Sequence, residues 1–215
     1  MSSRRSKRGP KKRRKLQPKM KRQGPLYRVP FRRRRELKTD YGQRKRLLKS
    51  GKIRVVARTS NKQVLVQFVM SKIGGDQTYI QIRSDDLKKY GWDIATSNLP
   101  ASYLTGYLAG KRALKAKIKE AILDIGTHTA YSGTKIFATL KGVVDAGVNV
   151  PCNETMMPSE SRIRGDHIQS YAKLLAKEDK SKYDRYFAKY LAASKKPEKI
   201  TEYFEETKSK IDSMG

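Results

Sequence analysis

Four groups of side chains in this sequence could carry chemistry: scattered aspartates, two histidines with one cysteine, a glycine–lysine run and a block of arginines. Asp124 and Asp145, with Asp85 and Asp86, are the kind of acids a two-metal nuclease needs, because carboxylates can hold two cations against the attacking and leaving oxygens of a phosphodiester. No spacing in the chain brings them together, and Asp124, at the end of an apolar run, reads more simply as a turn or cap residue. His128, His167 and Cys152 lack zinc spacing, and two imidazoles with one thiol fall short of a tetrahedral set. Gly106-Tyr107-Leu108-Ala109-Gly110-Lys111 approaches a phosphate-binding loop. That motif has four residues between its glycines and Ser or Thr after the Lys, whereas here there are three and Arg112. The run also lies in a helical pattern, where small residues allow close packing of a helix on a sheet. The sequence therefore predicts no enzyme, no metal and no cofactor.

The arginines differ in kind. Arg28 precedes an unbroken run, Arg32, Arg33, Arg34 and Arg35, and Lys38, Thr39, Arg44 and Arg46 follow it. Guanidinium forks bind phosphates bidentately and stack on bases, which an ammonium cannot do. Tyr27, Phe31 and Tyr41 are interleaved with them, a mixture suited to phosphates, splayed bases and 2′-hydroxyls of folded RNA. Thr39 or Asp40 is placed to cap a helix marked by Tyr41, Leu47 and Leu48.

Charge points to the same class of partner. Fifty Lys and Arg against 20 Asp and Glu give a formal +30, and +22 of it falls in residues 1–54, where Glu36 and Asp40 are the only acids. Polyanions, nucleic acid first among them, are the expected partners of such a chain. No stretch approaches the run of about 18 apolar residues a membrane span needs, and no apolar segment follows the N-terminal cations, so a cytoplasmic protein without membrane association is expected. One cysteine excludes an internal disulfide framework.

These side chains need elements to hold them. Residues 1–25, with almost nothing to bury and several Pro and Gly, read as a disordered basic arm, and 26–52 as the Arg-rich segment. Residues 53–157 read as an α/β core. Ile53, Val55 and Ala57, then Val64, Val66, Phe68 and Met70, then Ile80 and Ile82 alternate with polar residues as three strands of an antiparallel meander with one polar face. Asn98 and Pro100 start a helix running to about Lys117. Ala121–Ile125 has the look of a strand buried on both faces. A second helix carries Ile136, Phe137, Leu140, Val143 and Val144 and ends at Gly147, and Val148–Val150 is a candidate last strand. Residues 158–215 read as a helical extension with three stripes: Ile168, Tyr171, Leu174 and Leu175; Tyr183, Tyr186, Phe187, Tyr190 and Leu191; and Ile200, Tyr203, Phe204, Thr207 and Ile211. Spacing of three and four favours packing over base stacking.

PFRRRRELKTDYGQRKRLL, VARTSNKQVLVQ, YLTGYLAGKRAL and GTKIFATLKGVVDAGVNVP, in this order, resemble the signature segments of the 5S-rRNA-binding ribosomal proteins of the L-eighteen family. The likeness runs from about Tyr27 to the C-terminus. The chain lacks the insertion of the eukaryotic relatives after the first long helix, which points to an archaeal source, and residues 1–25 depart from the pattern. The resemblance implies a mixed sheet of the ribonuclease-H-like motif without its catalytic acids. It also implies that the Arg-rich segment and Arg58, Ser60, Asn61 and Lys62 at the first hairpin lie against 5S rRNA. Expected partners are 5S rRNA, the large-subunit rRNA and neighbouring ribosomal proteins of the central protuberance. A general nucleic-acid-binding protein or RNA chaperone is the alternative, acting through the basic arm alone and binding duplex DNA as well.

Overall fold

A computed structural model of the chain describes residues 28–213. The expected arm 1–25 and Tyr27 lie outside the described residues. The centre of the fold is a four-stranded sheet in the order β3-β2-β1-β4. Strands β1 (Arg54–Thr59), β2 (Val64–Lys72) and β3 (Gly75–Arg83) form the expected antiparallel meander, and β4 (Ile122–Asp124) lies parallel to β1. Strand register puts Val55, Ala57, Val66, Phe68 and Ile82 on one face, all fully buried, as period-two patterning requires. The opposite face carries Arg54, Val56 and Arg58 from β1, Leu65 and Gln67 from β2, and Gln81 and Arg83 from β3. A register shift after Phe68 leaves Tyr79 unpaired in β3 as the extra residue of a bulge.

Two expectations about strands need correction. β4 is not buried on both faces: Ile122 and Leu123 are half-buried and only Asp124 is buried. As the last strand of the sheet it has one neighbour, which an apolar run by itself does not reveal. Val148–Val150 forms no strand, but a single parallel bridge joins Asn149 to Glu120.

Helix α1 is Arg32–Arg35 and α2 is Tyr41–Leu48; α3 (Leu99–Lys115) is the crossover from the meander to β4. The Asn98 side chain accepts the Ala101 N–H at the start of α3, with Pro100 in the first turn. α4 (Lys135–Asp145) ends in a Schellman arrangement: Gly147 at φ +107°, its N–H on the Val144 carbonyl and the Val148 N–H on that of Val143. The small residues of the 106–110 run do allow close packing, but on α4 rather than on the sheet. A Cβ at Gly106 would lie 2.0 Å from the Thr139 carbonyl oxygen, and one at Gly142 would lie 2.2 Å from that of Tyr103. Between β3 and α3 lies a 3-10 helix, Ser84–Tyr90, that no sequence pattern predicts; its Leu87 and Tyr90, with Trp92 and Ile94, are buried in the core.

The C-terminal part is helical: α5 (Glu160–Arg164), α6 (Asp166–Glu178), α7 (Lys180–Tyr186), α8 (Ala188–Ala192) and α9 (Ile200–Ser213). Ile200, Phe204, Thr207 and Ile211 of α9 are buried as the third stripe predicts. The other stripes are narrower than expected. On α6 the buried residues are Ala172 and Leu175, while Tyr171 and Leu174 are exposed; on α7–α8 Phe187 and Tyr190 are buried while Tyr186 and Leu191 are not. A small alanine at i+4 from Ile168 sets the inward face, and the tyrosines border it. Tyr107 of α3 donates to the Asp212 carboxylate at 2.6 Å, fastening α9 to the central helix. One apolar cluster runs from Val55 to Ile211.

Candidate nucleic-acid interface

The Arg-rich segment stands on the surface with its donors outward. α1 has no buried residue, and Arg28, Arg32, Arg33, Arg34, Arg35, Lys38 and Arg46 are all exposed. Asp40, not Thr39, caps α2: its carboxylate accepts the N–H groups of Gly42 and Gln43 at 2.9 and 3.1 Å. Thr39 serves the arginines instead, its Oγ1 accepting Arg33 Nε at 2.8 Å. Glu36 takes Lys38 at 2.9 Å and Arg32 loosely at 3.8 Å. The side chains of Arg34, Arg35 and Arg46 have no hydrogen-bond or ion-pair partner among the described residues. Phe31 and Tyr41 pack ring on ring at 5.4 Å, which joins the start of α1 to the start of α2. Phe31 is nevertheless 72% exposed and Val29 63%, so apolar faces lie open among the guanidinium groups.

Arg44 behaves differently from its neighbours. Its Nη2 donates to Asp76 Oδ1 at 2.7 Å, and the other oxygen of that carboxylate takes Arg54 Nη2 at 2.8 Å. Arg54 is 2% exposed, and its second terminal nitrogen meets Asp124 Oδ2 at 2.8 Å. Asp124 Oδ1 in turn accepts the Gly126 N–H at 2.9 Å and Arg58 Nη2 at 3.5 Å, while Arg58 Nη1 donates to the carbonyls of Asp124 and Ala57, both at 3.0 Å. The hydrogen bond from Arg44, against the cost of burial and reinforced by Arg54, holds the Asp76 carboxyl well below its ordinary range, at about 2. The same bond raises the Arg44 guanidinium. No sequence pattern marks this chain of charges, whose bonded partners lie 22 to 70 residues apart.

At the far end of β1, the turn Ser60-Asn61-Lys62 is held from below. Ser60 Oγ accepts the Gln63 and Lys62 N–H groups and donates to the Gln63 carbonyl. The Ser60 carbonyl takes Ser97 Oγ at 2.7 Å and Lys135 Nζ at 3.5 Å, and the Lys62 carbonyl takes Thr96 Oγ1 at 2.8 Å. Ser60 is thus a structural turn-former, whereas Asn61 and Lys62 are exposed at its tip. The turn follows the C-terminal end of β1, whereas Arg44 of α2 is bonded through Asp76 to Arg54 at its N-terminal end, a strand length of roughly 17 Å at about 3.3 Å per residue.

The acids imagined as a nuclease cluster have separate duties. Asp124 is in the arginine chain, Asp145 accepts the Tyr103 hydroxyl at 2.8 Å, Asp86 accepts the Arg83 N–H at 2.8 Å, and Asp85 takes the Gln63 amide. Cys152 and His128 are exposed, and no three potential metal ligands converge among the described residues.

Residues 26–120 match the family described as ribosomal large subunit proteins 60S L5, and 50S L18. The chain is 49% identical over 189 residues to the large ribosomal subunit protein uL18 of Methanothermobacter thermautotrophicus, covering 88% of this chain and 97% of that protein. The chain belongs to this family. The uL18 protein of Korarchaeum cryptofilum is 48% identical over 88% of the chain and 96% of its own length, and that of Halobacterium salinarum 55% identical over 71% and 83%. These relatives are archaeal, in line with the absence of the eukaryotic insertion. Family membership makes the chain a structural, non-enzymatic component of the large ribosomal subunit.

Proposed function

We propose that the chain binds 5S rRNA and anchors it to the large-subunit rRNA, beside neighbouring ribosomal proteins in the central protuberance. In this reading, residues 26–52 and the tip of the 60–62 turn touch RNA, residues 53–157 hold them in place, and 158–215 extend the frame. The observation that carries the reading is the set of free guanidinium forks, Arg34 and Arg35 above all, next to the exposed Phe31 ring and the half-buried Tyr41 that it packs on. Such a surface fits RNA, whose phosphates, splayed bases and 2′-hydroxyls are all within reach of forks and rings. Residues 1–25, rich in Lys and Arg, supply charge that any RNA can neutralise.

Competition binding at fixed salt, 5S rRNA against transfer RNA, tests it. Arg34→Lys with Arg35→Lys keeps the charge and removes the forks, so it should cost about 1–3 kcal/mol on 5S rRNA and much less on transfer RNA. Removing residues 1–25 should weaken both RNAs alike and flatten the salt dependence. Equal affinity of the intact chain for 5S rRNA, transfer RNA and duplex DNA would establish a general nucleic-acid binder instead.

A further inference from the structure

We infer that the ion chain Arg44–Asp76–Arg54–Asp124–Arg58 positions the RNA-binding segment on the sheet, and that Arg44 and Arg58 belong to this frame rather than to the RNA contact. The inference rests on the 5S rRNA reading for its functional half, but its structural half stands on contacts within the protein.

Helix α2 needs such a fastener. It has eight residues, none of them buried, and a helix of that length does not persist alone in water. Its apolar side chains, Tyr41, Leu47 and Leu48, are half-buried at best. The long-range bond from Arg44 to Asp76, 32 residues on, ties its middle to the sheet. Asp76 cannot drift, because Arg54 grips its second oxygen, and Arg54 cannot drift because it is buried and held by Asp124. Asp124 is fixed in turn by the Gly126 N–H and by Arg58, whose other nitrogen closes on the β1 and β4 carbonyls. Five alternating charges thus run from α2 to the residue two before Ser60, linking the two zones that the sheet keeps apart. A planar fork with terminal nitrogens to two different carboxylates sets both distance and direction, which a Lys could not do at Arg54.

Two carboxylates close to an RNA-binding surface oppose phosphate binding, so charge alone gives them no favourable role there. This supplies the test. If electrostatics governed, Asp76→Asn would tighten binding to every RNA. If the chain positions α2, Asp76→Asn loosens the helix and weakens 5S rRNA binding in spite of the added positive charge.

The experiment combines amide hydrogen exchange of the free protein with salt-dependent binding of 5S rRNA and transfer RNA, using the full chain and its Asp76→Asn, Arg44→Gln and double variants. Expected results are faster exchange over residues 41–48 with the sheet still protected, and about tenfold weaker 5S rRNA binding for each single variant. The double variant should be no worse than the singles, and the slope of log affinity against log salt should stay unchanged. Should Asp76→Asn unfold the protein, Arg44→Gln decides alone, since it leaves the Arg54–Asp124 pair intact. Unchanged exchange over 41–48, tighter binding by Asp76→Asn, or a salt slope reduced by about one in Arg44→Gln, the mark of a lost phosphate contact, would each overturn the inference. If the parent shows no preference for 5S rRNA, the proposed function falls, and hydrogen exchange alone judges the fastener.

Discussion

Replacing Asp124 by Asn tests whether this acid is structural. The side chain keeps its shape but loses its charge, and one of its two oxygens becomes an amide donor. That amide faces either Arg54 Nη1, now at 2.8 Å from Oδ2, or the pair formed by the Gly126 N–H and Arg58 around Oδ1. In either orientation a donor meets a donor, and Arg54, 2% exposed, keeps only Asp76 as counter-ion. Breaking one side of a buried ion pair costs about 3–5 kcal/mol. The lower figure applies, because Asp76 still compensates part of the charge and the Asn carbonyl still accepts one bond. About 3 kcal/mol corresponds to a fall in Tm of roughly 6–12 °C for a chain of this size. Thermal and urea unfolding measure it, and incubation with labelled RNA and magnesium should show no cleavage by either protein. A variant within 0.5 kcal/mol of the parent would refute the structural assignment. So would parental cleavage of RNA that the substitution abolishes.

Three further outcomes follow from the geometry. Gly106→Ala puts a methyl against the Thr139 carbonyl, 2.0 Å from its oxygen, and should cost about 3 kcal/mol in urea unfolding, at the upper end of overpacking; Gly74→Ala, with open space around it, is the control and should change nothing. Tyr107→Phe removes the bond to Asp212 and should cost about 1 kcal/mol, Lys111 still holding that carboxylate at 3.0 Å. The Asp76 carboxyl, lowered to about 2, adds stability that is complete above its unfolded value near 4 and lost as pH falls towards 2; the gap between the parent and Asp76→Asn should therefore close over that window, its pH-dependent part being on the order of 1 kcal/mol once solvent screening is allowed for.

Where local pattern determines structure, the sequence was legible. Alternation puts Val55, Ala57, Val66, Phe68 and Ile82 on one buried face, and the caps at Asn98 and Gly147 mark helix ends by their own hydrogen bonding; in β1, where Arg54 and Val56 are buried as well, the second face is covered too, which the pattern does not tell. Where the answer depends on which segment lies next to which, it was not. Whether Ala121–Ile125 is central or at the edge is set by its neighbours, and the inward face of α6 turns on Ala172, too small to register against Tyr171 and Leu174. The exposed arginine run was visible because its density is itself the signal. Arg44 is placed with it by type, and Arg58 at the first hairpin by the family resemblance, although their partners, Asp76 and Asp124, lie 32 and 66 residues away. No periodicity encodes that distance. The parallel register of β4 on β1, with Asp124 opposite Val56, brings the acid between Arg54 and Arg58.

The net charge of +22 on residues 1–54 would draw the chain to any RNA without a fold. Discrimination requires that some of those charges be fixed before the RNA arrives, since ordering a free arginine side chain costs up to about 2 kcal/mol. The fold lowers that cost unevenly. Arg33 is already oriented by Thr39, the ring pair sets the angle between α1 and α2, and the ion chain carries α2 on the sheet, whereas Arg34 and Arg35 keep their forks unspent. Of the acids a nuclease would use to hold cations, Asp124 holds guanidinium groups, whereas Asp145, Asp86 and Asp85 accept a tyrosine hydroxyl, a backbone N–H and a side-chain amide. A rigid frame under a few free forks lets affinity depend on the shape of the RNA rather than on its charge alone.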